Sequence, residues 1–192
     1  MLISETVLLR PRVREDMVVL HRLAASDPTL HQRTSYEPWA PRSLEQELAR
    51  YDAQLGEPPD PLNALFTVEA RVASGRIAHG DVVGEASVWG VNPHQRSGHV
   101  GLSLVAEARG LGLGTDIVRV LCDYGFRVRG LHRLSCETVA SNAPMIRAAE
   151  AAGFVREGQL RSSSWVDGGW DDDVLLGLLR DEWSPPVGPP SP

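Results

Sequence analysis

The stretch Arg109-Gly110-Leu111-Gly112-Leu113-Gly114-Thr115 narrows the folds open to this chain more than any other. A strand-like run, His99 to Val105, precedes it, and a helical run continues from it to about Val128. Glycines at every second position let the backbone adopt positive φ and come close to a ligand. A helix starting at their end presents unbonded N–H groups and the positive end of its dipole. Such a loop is a cradle for an anion, and phosphate is the natural guest.

The remaining composition removes the common phosphate-binding and covalent chemistries. All 19 basic residues are arginine, so a Walker-type loop lacks its lysine and Schiff-base chemistry lacks its amine. Cys122 and Cys136 are too few and too far apart for a zinc ribbon or a disulfide framework, and read as buried reduced thiols. A formal charge of -6 and a pI near 5.5 argue against nucleic acid or an anionic membrane surface as partner and favour an acceptor with positive charge. No apolar run approaches the ~20 residues of a membrane span, and Met1 to Leu9 has no signal layout. A cytoplasmic location is the expectation.

Read in order, Val7-Leu8-Leu9-Arg10 predicts a strand, and Met17, Leu20, Leu23 and Ala24 recur at helical spacing before Asp27-Pro28 ends the segment. Ser35 to Pro41, with two prolines and two aromatics, predicts a shaped loop. Ser43 and Gln46 form a capping-box pattern for a helix to about Leu55. Beyond the break at Gly56 to Pro61, the runs Leu65–Val72, Val82–Val91 and Gly98–Val105 predict an antiparallel meander. His132–Val139 follows the glycine loop and its helix as a strand parallel to 98–105. Pro144 opens a further helix that Gly153 stops, and Phe154–Val166 and Asp171–Arg180 flank a turn at Asp167-Gly168-Gly169. Residues 1–183 read as one domain, and 184–192, rich in proline, glycine and serine, as a disordered tail.

The glycine spacing does not suit a dinucleotide fold, which needs G-x-G-x-x-G after the first strand of a βαβ unit. Arg109-Gly110-Leu111-Gly112-Leu113-Gly114 resembles instead the (Gln/Arg)-x-x-Gly-x-(Gly/Ala) signature of the GNAT N-acetyltransferases. Downstream, Asn142, Met145-Ile146-Arg147, Glu150 and Gly153-Phe154 resemble a second segment of that superfamily. The opening Leu8-Leu9-Arg10-Pro11 with Asp16, and the ending Glu157-Gly158 through Arg161, Asp173 and Leu175-Leu176, are similar to the RimJ/RimL-type branch.

This resemblance implies an α/β (α+β) GNAT fold, with a strongly twisted mixed sheet of about six or seven strands splayed at a bulge and about four flanking helices. It implies transfer of acetyl from acetyl-coenzyme A, as co-substrate and without a metal, to a primary amine. The acceptor is a protein amino terminus or a small molecule, and a homodimer is compatible. Backbone N–H groups of Leu111, Gly112, Leu113, Gly114 and Thr115, together with Arg109 and Gly110, would hold the pyrophosphate. A bulge at Leu104, Val105 and Ala106 would open the sheet for the pantetheine arm, which Asn142 contacts with Arg147 nearby. The N–H of Leu104 would face the thioester oxygen.

An amine attacks only when neutral, so a base is needed. The candidates are Glu85 and His99 on the meander strands, then Glu137 and Glu107. Imidazole, with an unperturbed pKa of about 6.5, suits the task. The family's usual serine or tyrosine proton donor is Met145 here, which leaves Ser141 or a water to protonate the departing thiolate. A second reading follows from that departure: an acyl-coenzyme A sensor or scaffold that turns over poorly. Trp39, Trp89, Trp165 and Trp170 are candidate pocket walls as well as core residues. Asp171-Asp172-Asp173 reads as a solvated face before a cation site.

Overall fold

A computed structural model of the chain describes residues 1–25, 27–35 and 38–185. In chain order the elements are β1 (Leu2–Ile3), β2 (Val7–Arg10), α1 (Met17–Ala25), α2 (Pro28–Thr34), α3 (Leu44–Gln54), β3 (Ala64–Ala70), β4 (Val82–Asn92) and β5 (Ser97–Leu104). They continue as α4 (Leu113–Asp123), β6 (Arg133–Val139), α5 (Ala143–Ala151), β7 (Val155–Val166) and β8 (Gly169–Leu179). The strands form one mixed sheet in the order β1-β2-β3-β4-β5-β6-β8-β7. Every contact in it is antiparallel except β5 with β6.

Local chemistry accounts for these boundaries. Ser43 and Gln46 exchange side chain-to-backbone hydrogen bonds of 3.2 and 2.8 Å, closing the capping box of α3. Asp167 and Gly168 have φ of 54° and 80°, and Val166 pairs with Gly169, so a two-residue turn joins β7 to β8. Gly153, with φ of 104°, ends α5.

Three expectations change. Asp27-Pro28 does not merely stop α1: the Asp27 carboxylate accepts from the Leu30 N–H at 2.8 Å and Pro28 occupies the first turn of α2, a helix the chain pattern did not announce. One further strand, β1, brings the sheet to eight, and the helical run reaches Val128 as expected but with its last turn, Tyr124–Val128, π-helical. No bulge occurs at 104–106. Register shifts lie elsewhere, and β5 stays in register with β4 as far as Leu104 opposite Gly84. Of the loop predicted over 35–41, residues 36 and 37 lie outside the described residues, as do residues 186–192 of the predicted tail.

Two layers cover the sheet. One face packs Val7, Leu9, Val68, Val88 and Val100 into the main core with Ile117 and Leu121 of α4 and Ile146 of α5. A smaller cluster, Met17, Leu20 and Leu23 of α1 with Leu48 and Tyr51 of α3, covers the opposite side. On this second side the sheet register sets Arg10, Thr67, Glu85 and Ser103 in one row across four strands. Asp16, only 3% exposed, ties the row to the helices: it accepts from Arg10 (2.7 and 2.8 Å), Thr67 (2.8 Å) and the Val13 N–H (2.9 Å).

Candidate active site

The glycine loop lies at the carboxyl end of β5 and the start of α4. Gly110 and Gly112 have φ of 77° and 81°, and a Cβ on either would meet nothing within 4 Å, so the loop's outer surface is open. Gly112 is the N-cap of α4 and supplies no side-chain cap, which leaves the first N–H groups of the helix, from Leu113 through Thr115, without a capping partner. The Leu113 side chain is buried, so that residue can offer a ligand only its backbone. Gly114 packs towards α5, where an added Cβ would sit 3.7 Å from the Ala148 Cβ. Free amides, a helix dipole and space suit a pyrophosphate without lysine or metal.

Arg109 does not point its guanidinium over the loop. Its Nε donates to the Leu104 carbonyl at 3.0 Å, its Nη atoms lie 3.4–3.5 Å from Asp27, and its own N–H donates to the Ala106 carbonyl. Arg109 therefore fastens the loop to the end of β5 and to the start of α2. Its guanidinium is 44% exposed and keeps N–H donors on the open side of the loop.

The opening in the sheet is produced by β6. It pairs with β5 only along Ser97–His99, opposite Arg133–Ser135, and then departs. On its other edge β5 stays bonded to β4, with Val105 N–H donating to the Val83 carbonyl at 2.9 Å. Antiparallel pairing alternates, so the N–H groups of residues 99, 101, 103 and 105 face β4 and those of 100, 102 and 104 face the side that β6 has left. The Leu104 N–H thus looks into the split, which divergence of β6 and not a bulge produces.

A cavity of about 770 Å³ occupies this split and the space beneath α1, α2 and α3. Its walls include Glu85, Ser87, Trp89, Leu102 and Ser103 from the meander, and Glu137, Thr138 and Asn142 from the far side. Glu85 carries an ion pair with Arg12 at 2.5 Å. The Asn142 Nδ2 donates to Thr138 Oγ1 at 2.9 Å, which points that hydroxyl's own proton elsewhere.

The other predicted residues divide around the cavity. His99 does not line it, but stacks on Trp89, which does, at 4.5 Å and 24°, and its Nδ1 lies 3.4 Å from Glu137. Ser141 is exposed and outside the cavity. Its N–H donates to Asp171, whose carboxyl is held below the usual carboxylate range by bonds from Ser141. Val105 is bonded to β4, while Ala106, Glu107 and Arg147 stand exposed at the surface. Trp165 and Trp170 pack edge to face at the tip of the β7–β8 hairpin, away from the cavity. Of the three adjoining aspartates, two hydrogen-bond within the hairpin, Asp172 with Gln159 and Ser162, and Asp173 with Ser163 and Ser164, while Asp171 accepts from Ser141. Among the described residues no cluster of histidine, cysteine or carboxylate groups can hold a metal, and no helix is long and apolar enough to cross a membrane.

Several cavity residues escaped the reading of the chain. Arg12, Arg33, Arg50 and Thr138 all line it. Thr138 carried a faint signal, four residues before Asn142. The arginines carried none, because the fold of α1–α3 over the sheet is what gathers them.

Comparison with known proteins agrees with this geometry. The family described as acetyltransferase (GNAT) domain matches residues 6–155. The Bacillus subtilis protein named "Probable N-acetyltransferase YjcK" is 33% identical over 81 residues, 42% of this chain and 45% of that protein. Spermidine N(1)-acetyltransferase of Vibrio cholerae is 23% identical over 106 residues, 55% of this chain and 61% of that protein. The chain thus spans roughly half the length of these curated relatives in the aligned regions. A crystal structure of spermidine N-acetyltransferase from Vibrio cholerae in complex with CoA and spermine shares the fold, with a TM-score of 0.78, 21% identity, and coverage of 93% of this chain and 98% of that one. The glycine loop, the divergent β5–β6 pair and the family match over most of the chain converge: this protein belongs to the GNAT acetyltransferase family.

Proposed function

We propose that this chain is an N-acetyltransferase that moves an acetyl group from acetyl-coenzyme A to a primary amine held in the cavity, with no covalent enzyme intermediate. Residues 1–183 form the acetyltransferase domain, working in the cytoplasm. The observation that carries the reading is the Leu104 N–H, unpaired on an opened strand edge between an anion-binding loop and a cavity. Coenzyme A in the solved Vibrio cholerae relative supports the same donor, and spermine in that complex supports a small amine as acceptor class. The RimJ/RimL-type motifs support a protein amino terminus as the alternative.

The coenzyme brings the activated acetyl group as a thioester. Backbone amides from Leu111 to Thr115 hold its pyrophosphate, and Asn142 orients the arm in the split. The Leu104 N–H donates to the acyl oxygen as negative charge builds, a contact worth about 3 kcal/mol. Glu85 inside the cavity, or His99 acting beside Glu137, takes the proton that the attacking amine must lose. Thr138, buried and facing the cavity, replaces Ser141 as the hydroxyl placed to protonate the thiolate.

Incubation with acetyl-coenzyme A and a panel of peptides and small amines tests this reading. Free thiol together with acetylated amine is the expected result. Tight coenzyme binding with no turnover across the panel would transfer the protein to the sensor reading that Met145 suggested. For the base, His99→Ala and Glu85→Gln are compared across pH. The variant that keeps a normal rate and pH profile is excluded from the role.

A further inference from the structure

The cavity's charges are unevenly spent. Each acid in its wall already has company: Glu85 is paired with Arg12 at 2.5 Å, Glu47 with Arg42 at 2.7 Å, Glu137 lies 3.4 Å from His99, and Asp173 accepts from two serine hydroxyls. The arginines are not matched in the same way. Among the described residues neither Arg33 nor Arg50 has a carboxylate within ion-pair distance, and the buried Nε of Arg33 has no hydrogen-bond partner. Arg33 meets Asp171 only through space, where it helps hold that carboxyl down after the hydrogen bonds from Ser141.

A guanidinium that borders a cavity without a carboxylate partner, half-buried at Arg33 and exposed at Arg50, is a receptor for a planar anion, because its fork of donors matches a carboxylate or a phosphate. A polycation faces the opposite situation: to be recognised it must displace an arginine or hydroxyl from each acid it approaches. Resting on the acetyltransferase reading, we infer that the acceptor is an amine that also carries an anionic group, docked on Arg33 and Arg50, and that polyamines are poor substrates. The overall charge of -6 pulls the first expectation towards cationic acceptors, but the wall of the site sets four arginines against four carboxylates and leaves Arg33 and Arg50 without a carboxylate.

The test compares matched amines with acetyl-coenzyme A: β-alanine against its amide, O-phosphoethanolamine against ethanolamine, and spermidine. The anionic member of each pair should exceed its neutral partner in kcat/KM by about tenfold or more, with spermidine below both. Whichever of the two pairs shows the larger ratio identifies carboxylate or phosphate as the anion. Arg33→Gln and Arg50→Gln, separately and together, should erase the preference through KM, and retained coenzyme affinity and circular dichroism report that each variant is folded. Equal use of the pair members, preference for spermidine, or variants that keep the preference would overturn the inference. If no amine is turned over, the acetyltransferase reading fails by itself, and calorimetry of the same amines against the coenzyme complex decides. β-Alanine binding without its amide, lost in the variants, upholds the anion site; no discrimination removes it.

Discussion

Gly84 shows how little room the reaction site leaves: a Cβ there would stand 2.0 Å from the Ser103 carbonyl oxygen and 3.1 Å from the Leu104 Cα. Any side chain must push the end of β5 away, and with it the Leu104 N–H. Gly84→Ala is expected to cost roughly 2–3 kcal/mol in urea unfolding and to lower kcat more than coenzyme affinity. Asp16 makes a second demand at this level. Burial alone would raise its carboxyl, but Arg10, the Val13 N–H and Thr67 outweigh that and hold it below the usual carboxylate range. A depressed folded value means that the charged form stabilises the fold above the unfolded pKa of about 3.9, and that the contribution fades as pH falls through the folded value. Asp16→Asn should therefore lose about 3 kcal/mol near pH 7, and the gap to the wild type should shrink below pH 4. A gap that stays constant on acidification would contradict the lock.

The glycine loop and α4 depend on backbone shape more than on side chains. Gly112, at φ of 81°, starts the helix, and Gly112→Val places a β-branched side chain in a conformation it disfavours and over the open amides. Loss of coenzyme binding in calorimetry, with the fold retained by circular dichroism, is the expected outcome. Elements whose signals are local were readable in the chain: the alternating meander, the capping box of α3, the turn at Asp167-Gly168 and the glycine loop itself. Where one signal serves two structures, the reading slipped. Asp27-Pro28 ends one helix and begins another. The cavity arginines lie on a loop and two helices whose neighbours are chosen only in three dimensions, and no spacing along the chain records that choice.

Across the whole fold, one sheet separates two tasks. The glycine loop and α5 adjoin one edge of the split, while α1–α3 roof the cavity on the other side of the meander, and Arg109 with Asp27 joins the two. Cys122 and Cys136 belong to the core between sheet and α4, where burial pushes both thiols up to about 12. A thiol reagent at pH 8 should leave both unlabelled in the folded protein and modify both after unfolding, while rapid labelling of native protein would show that this core opens. The arrangement as a whole stands or falls on the strand edge that β6 abandons. Leu104→Pro removes the N–H that faces the split without breaking a bond to β4, since the neighbouring ladder bond belongs to Val105. Rates of thiol release from acetyl-coenzyme A should drop about 100-fold in this variant with coenzyme affinity nearly unchanged, and an undiminished kcat would contradict the placement of the reaction at Leu104.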